Sequence, residues 1–220
     1  TINSHGATRC TLLLFKPQAP KPYARIPFPD SYRIGDTYSM LVFDIKPDEF
    51  EYAFSFDGPY EPAKGLLFNE ENVLLDPYSR AVTGQRKWGE KPEGGKDFEY
   101  RARVVKSSFD WGNIKQLEQP FEDLVIYETH VRGYTKDKSS GVSAPGTFAG
   151  LKDKIPYLKD LGINAVELMP IFEFDEMESA RVVDGVQLYN YWGYNTVSFF
   201  APNTSYAFNE EHNHEGDELK

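Results

Sequence analysis

The sequence has a single cysteine, Cys10, so no internal disulfide can brace it. A lone cysteine leaves the redox compartment open and leans toward the cytosol. No run approaches the ~18 consecutive apolar residues of a membrane span, and no segment has the pattern of a secretory signal. Positive charge is scarce: 24 Lys and Arg stand against 34 Asp and Glu, a net charge of −10. Nucleic acid and anionic membrane surfaces both need a basic face, so neither is expected as a partner. A neutral polymer such as a polysaccharide makes no such demand. Internal repeats and low-complexity stretches are also missing. The chain starts at Thr1, directly on TINSHGATRCTLLLF, which reads as the interior of a domain.

Aromatic residues, by contrast, are abundant at 15%. Large rings enlarge cores, and they also line sugar-binding clefts. The length of 220 residues suits one or two domains of roughly 100–200 residues each. Over residues 1–111, short β-prone runs at Cys10–Phe15, Tyr38–Ile45, Glu51–Phe56 and Arg101–Val105 are separated by Pro, Gly and Asp. That pattern predicts an antiparallel β-sandwich. In the third run Tyr52, Phe54 and Phe56 alternate with Glu51, Ala53 and Ser55, one face apolar and the other small or polar. GLLFNEENVLLDPYSRAVTG (65–84) reads as an ordered segment packed on a neighbouring surface. Residues 91–95 read as a mobile loop. Trp88 and Trp111 each read either as a sugar platform or as an anchor holding a loop to the core. Residues 112–123 lose periodicity and read as a linker.

From 124 onward the pattern changes. VIYETHVRG predicts a strand with Glu128, His130 and Arg132 on one face, either site groups at a strand end or a structural network at a rim. TFAGLKDKIPYLKDLG predicts a helix, capped by Thr147, with Phe148, Leu151, Ile155 and Leu158 on one face. Pro156 should break or restart it, and Gly162 should close it. INAVELMPI then predicts a second strand, covered on both faces, in which Glu167 is a paired structural carboxylate. Strand–helix–strand order implies a parallel sheet or barrel. Phe172–Tyr189 reads as a long loop. His212, Asn213 and His214 among Glu210, Glu211 and Glu215 fit neither a metal pair nor a nuclease site, and read as a solvated helix entry with Asp217 and Glu218 in its first turn.

Three segments, YETHVRGYT (127–135), GTFAGLKDKIPYLKDLGINAVELMPI (146–171) and YWGYNTVSFFAP (191–202), resemble the isoamylase-type glycogen and starch debranching enzymes. These belong to the α-amylase superfamily, glycoside hydrolase family 13. DGPYEPAKG (57–65) and LLDPYSRAVTG (74–84) resemble the same enzymes' N-terminal module, a β-sandwich of the carbohydrate-binding module 48 type. The resemblance implies an early-set, immunoglobulin-like sandwich over 1–111. It further implies that 124–220 open a (β/α)8 TIM barrel, left incomplete because such a fold needs about 250 residues. It implies retaining hydrolysis of α-1,6 branch linkages in glycogen or starch-like α-glucans, which needs two carboxyl groups about 5–5.5 Å apart, one a nucleophile and one an acid/base. Those carboxylates are expected downstream of Lys220, so no catalytic residue is assigned within the chain, and the piece is expected to be truncated at both ends and inactive. Tyr194 matches the family's sugar-stacking aromatic beside the scissile bond, with Trp192 next to it as a second substrate-binding candidate. No cofactor is evident, and calcium, which family members bind, has no assignable ligands here. A cytoplasmic location is expected. A branching transglycosylase, a pullulanase and a non-catalytic glucan-binding protein remain the alternative readings.

Overall fold

The longest pairing in the structure joins two seven-residue strands, Arg9–Phe15 and Glu51–Asp57. A computed structural model describes residues 1–85, 87–90, 100–106, 109–115, 117–209 and 214–220. The chain divides into two compact units. The first comprises Thr1–Thr83 with Lys91–Val105, and the second Gly84–Glu90 with Lys106–Lys220.

In the first unit the strands are β1 (Ile2–Asn3), β2 (Arg9–Phe15), β3 (Ala24–Pro27), β4 (Arg33–Ile34) and β5 (Thr37–Tyr38). They continue with β6 (Glu51–Asp57), β7 (Tyr60–Glu61), β8 (Leu66–Leu67), β9 (Val82–Thr83) and β10 (Arg101–Ala102). The main sheet is antiparallel in the order β3-β2-β6-β10-β9, and a smaller sheet runs β1-β5-β4. Residue alternation along β2 and β6 feeds two cores. Cys10, Phe54 and Phe56 join Phe28 and Tyr38 on one side, while Leu13, Phe15 and Ala53 pack with Val73 on the other. Glu51, Ala53 and Ser55, on the small or polar face, are therefore buried as well. The expected strand over Tyr38–Ile45 stops at Tyr38: Leu41 and Phe43 are exposed, and Asp44 adopts a positive φ that breaks extended pairing. The 65–84 segment packs as foreseen, with Leu74 exchanging two backbone hydrogen bonds with Phe54 and Asp76 accepting from the Tyr52 hydroxyl. Burial pushes the Cys10 thiol up to about 12, which keeps it unreactive.

In the second unit β11 (Ile126–Thr129) and β12 (Ala165–Leu168) pair in parallel, joined through α1 (Val131–Thr135), α2 (Phe148–Lys152) and α3 (Ile155–Asp160). Thr147 caps α2 through its hydroxyl, which accepts from the Gly150 amide. The helix breaks at Asp153–Lys154 and α3 restarts with Pro156 in its first turn, where a missing amide costs nothing. Two expectations fail here. Glu128, His130 and Arg132 do not share a strand face, because His130 ends β11 and caps α1, which carries Arg132 away on a helix. Glu167 is exposed opposite Glu128 and forms no ion pair among the described residues. Val166 is 42% exposed, and Val125 and Ile126 are each 50% exposed. The chain continues through β13 (Phe172–Phe174), β14 (Arg181–Val183), β15 (Val186–Leu188), β16 (Thr196–Pro202) and α4 (Glu215–Leu219). The expected loop 172–189 thus contains a hairpin, turned by Asp184-Gly185 with φ of 50° and 80°. The 91–95 loop and residues 210–213 fall outside the described residues. In α4, Glu218 sits in the first turn as foreseen, but it is not merely solvated: its carboxylate accepts from the amides of Ala149, Phe208 and Asn209. Among the described residues no helix is long and apolar enough to cross a membrane.

Gly150 packs under the Ala144 carbonyl so closely that a Cβ would collide with backbone. Gly150→Ala is expected to destabilise the second unit by about 3 kcal/mol, the upper end of overpacking costs. All three tryptophans (Trp88, Trp111 and Trp192) lie in that unit, so urea titration followed by tryptophan fluorescence reads the loss directly.

Candidate functional site

His130 connects the end of β11 to an aromatic wall. Its Nδ1 accepts from the Gly133 amide, which leaves the ring proton on Nε2 to donate to the Tyr191 carbonyl at 2.8 Å. Burial holds its pKa below the ordinary imidazole value, with Arg132 acting the same way and the Tyr191 hydrogen bond opposing. The Tyr191 ring stacks on the imidazole at 4.3 Å, and Trp192 stands edge-on to both. Behind them Trp88 stacks parallel to the buried Tyr206 at 6.0 Å and meets Phe174 and Tyr191 edge-on. The Arg132 guanidinium lies 4.4 Å from the centre of the Trp88 ring. Trp88 is therefore an anchor, contacted by rings and a cation rather than open to a sugar. Trp111 is exposed and touches Phe109 edge-on.

Beneath this wall lie two carboxylates that no pattern in FEFDE singled out. Glu173 and Glu176 are both fully buried. Glu173 accepts from the Thr204 amide at 2.8 Å, and burial raises its pKa well above the carboxylate range. Glu176 accepts from the Gly89 amide at 2.9 Å and contacts the Ser205 hydroxyl, which also lies 2.6 Å from Asn203 Oδ1. One hydroxyl proton cannot serve two acceptors, and a proton on Glu176 supplies the missing donor. Burial, opposed by its hydrogen bonds and by Arg132, accordingly pushes Glu176 up to about 7. The signal for this pair was the polar run Asn203-Thr204-Ser205 after the apolar FFAP, which reads as loop until its partners are known.

The segment 189–195 is bound to the 175–178 segment at several points. Asn190 donates from its backbone to the Glu176 carbonyl and from its side chain to the Asp175 carbonyl. Asn195 donates to both oxygens of Glu178 at 2.6 and 2.7 Å. Gly193 has a φ of +77°, and a Cβ there would strike the Phe174 ring. Between the segments opens a cavity of 330 Å³ lined by Glu178, Arg181, Tyr189, Asn190, Trp192 and Asn195, with Ser179 and Tyr191. Trp192, 52% exposed, lines it; Tyr194, 70% exposed, lies two residues on and does not. Exposed rings beside planar amide, carboxylate and guanidinium groups suit a ligand with apolar faces and a hydroxylated edge. Glu178 alone offers no carboxylate pair for bond cleavage. Among the described residues no group of three or more His, Cys, Asp or Glu is arranged to hold a metal ion.

Residues 2–79 match the carbohydrate-binding module 48 family, the isoamylase N-terminal domain. Over 94% of its length the chain is 37% identical to isoamylase 1, chloroplastic, of Oryza sativa subsp. japonica, covering 26% of that protein. It is 34% identical, over 96% of its length, to 32% of the glycogen debranching enzyme of Yersinia enterocolitica. The pullulanase of Bacillus acidopullulyticus superposes on 99% of the chain with a TM-score of 0.70 at 21% identity, the chain covering 26% of it. Pullulanase type I of Bacillus subtilis, solved with maltose, gives 0.65 over 97% of the chain at 23% identity, the chain covering 27% of it. The chain is mostly sheet and has the fold of the N-terminal part of these pullulanases. The chain is homologous to isoamylases and glycogen debranching enzymes and spans about a quarter to a third of the curated relatives' length.

A buried acid with a raised pKa favours the folded state while protonated, so its contribution is full below the unfolded value and is lost as pH rises through the folded one. Between the ordinary 4.5 and about 7, Glu176 should cost the second unit about 3 kcal/mol of stability. Urea midpoints at pH 5 and pH 8 check this: wild type is expected to weaken markedly, and Glu176→Gln to show a shallower decline.

Proposed function

We propose that this chain is part of an isoamylase-type debranching hydrolase that cleaves α-1,6 branch linkages in glycogen or a starch-like α-glucan with retention. The observation that carries this is the aromatic loop 191–194, exposed beside a polar cavity, within a chain homologous to debranching enzymes over nearly its whole length. Tyr194 is proposed to stack on the glucosyl ring beside the scissile bond, where the ring's C–H face meets an aromatic plane, and Trp192 to hold the neighbouring sugar. The hydrolytic carboxylates are proposed to lie in the part of the enzyme beyond these 220 residues, since the two carboxylates nearest the wall are sealed from solvent. We propose residues 1–111 as an immunoglobulin-like sandwich of the module 48 type, 112–123 as a linker and 124–220 as the opening of the (β/α)8 barrel. The parallel β11–β12 pair with helices between its strands supports the barrel. A cytoplasmic location completes the proposal, and neither nucleic acid nor membrane is a partner in it.

A pullulanase reading draws on the fold neighbours, and the isoamylase reading on sequence identity above 33%. Activity of a longer form on glycogen and on pullulan separates them. In that form Tyr194→Ala is expected to lower kcat/KM on glycogen by roughly a hundredfold, in line with losing one stacking contact made in the transition state. Unchanged kcat/KM would remove Tyr194 from the site.

A further inference from the structure

A second cavity, of 370 Å³, opens in the first unit and is lined by Phe15, Pro20, Lys21, Pro22, Arg25, Val73 and Arg101. Its position follows from strand register. Arg25 pairs with Leu13, and Leu13 with Ala53, across β3, β2 and β6. Ala102 pairs with Tyr52, which places Arg101 at the end of the same row. Arg25 and Arg101 thus stand on the sheet face of Leu13, Phe15 and Ala53. Arg101 is buried, held by the Ala19 carbonyl, by the Phe15 ring 4.3 Å away and by Glu51 at 3.5 Å.

The loop facing this row is fixed before any ligand arrives. Ala19 donates to the Lys16 carbonyl, Gln18 to Glu51 and Tyr23 to the Leu14 carbonyl. Pro20 and Pro22 remove further freedom on either side of Lys21. Glu51 answers Arg101, whereas Lys21 and Arg25 are exposed and have no ion pair among the described residues. Among the described residues no acidic side chain lines the cavity. In a chain of net charge −10, this is a preformed positive pocket where bulk charge is negative. Long polyanions are repelled by the whole, while one compact anion is attracted by the part.

We infer that this pocket binds a glucose phosphomonoester. The pair Lys21 and Arg25 matches a dianionic phosphate, with Arg25 able to bind it through two parallel N–H donors. Pro20, Pro22 and Val73 offer an apolar wall to the C–H face of the pyranose. The choice of glucose rests on the α-glucan reading above; the choice of phosphate rests on the pocket alone. The phosphate is carried either by a free sugar phosphate or by an ester on a glucan chain.

Calorimetric titration of the 220-residue chain with glucose 6-phosphate, glucose and inorganic phosphate tests this. Glucose 6-phosphate is expected to bind roughly tenfold tighter than either of the others, since charge-assisted hydrogen bonds add to the apolar wall. The double variant Lys21→Gln/Arg25→Gln should bring it to the level of glucose without lowering the melting temperature. Equal affinity for glucose 6-phosphate and glucose, or an unaffected double variant, overturns the inference, as does inorganic phosphate binding as tightly as the sugar phosphate. Amylopectin that carries phosphate, compared before and after phosphatase, separates the sources: a gain on the polymer assigns the ester, and a gain confined to the free sugar assigns the metabolite. Maltoheptaose in the same cell separates the two proposals. If it fails to bind while glucose 6-phosphate binds, the glucan reading falls and the pocket stands; if it binds while glucose 6-phosphate is no better than glucose, only the pocket falls.

Discussion

The second unit depends on one neutral imidazole. His130 ends a strand, caps a helix through Nδ1 and donates from Nε2 to the Tyr191 carbonyl, and its ring lies flat against the Tyr191 ring. Each of these uses a different part of one side chain. A second proton would set two donors against each other at Gly133, so the environment that lowers its pKa also preserves the geometry. The exposed aromatics at 192 and 194 take their position from that contact, because the segment carrying them is fixed at its first residue by His130 and Asn190.

The same wall rests on acids rather than on a purely apolar floor. Glu173 satisfies the buried amide of Thr204, which would otherwise lack a partner, and Glu176 accepts from the half-buried amide of Gly89. Holding them protonated costs less than holding them charged, and the result is a floor that joins three separate segments, 87–90, 173–178 and 203–206. A reactive role is denied to both by their burial. These residues shape a surface, and no pair of carboxylates within the described residues faces it.

Much of this was legible in the sequence where the chemistry is local. The Thr147 cap, the restart at Pro156 and the parallel pairing of INAVELMPI with VIYET follow from periodicity, from a hydroxyl at a helix entry and from a missing amide. VIYETHVRG misled because β-propensity runs on through Val131, while the residue that ends the strand is a histidine whose capping role needs Gly133 and Tyr191 in place. The hairpin at Asp184-Gly185 carried a readable turn signal inside what passed for a loop. Burial of Glu173 and Glu176 was invisible, since their partners lie about 30 residues later and about 90 residues earlier in the chain, and a run of acids reads as solvated by default. Trp88 was open between anchor and platform until the positions of Tyr206 and Arg132 showed its faces occupied. Residues Glu178, Arg181 and Asn195 gave no pattern at all; they become a site only through the cavity they line.

The central claim is that the 191–194 loop receives an α-glucan. A crystal structure of the chain soaked with maltotetraose tests it most directly. A glucosyl ring lying against Tyr194, with its neighbour beside Trp192 and its hydroxyls turned to Asn195 and Glu178, is the expected result. Sugar bound elsewhere on the chain, with that loop bare, would contradict it.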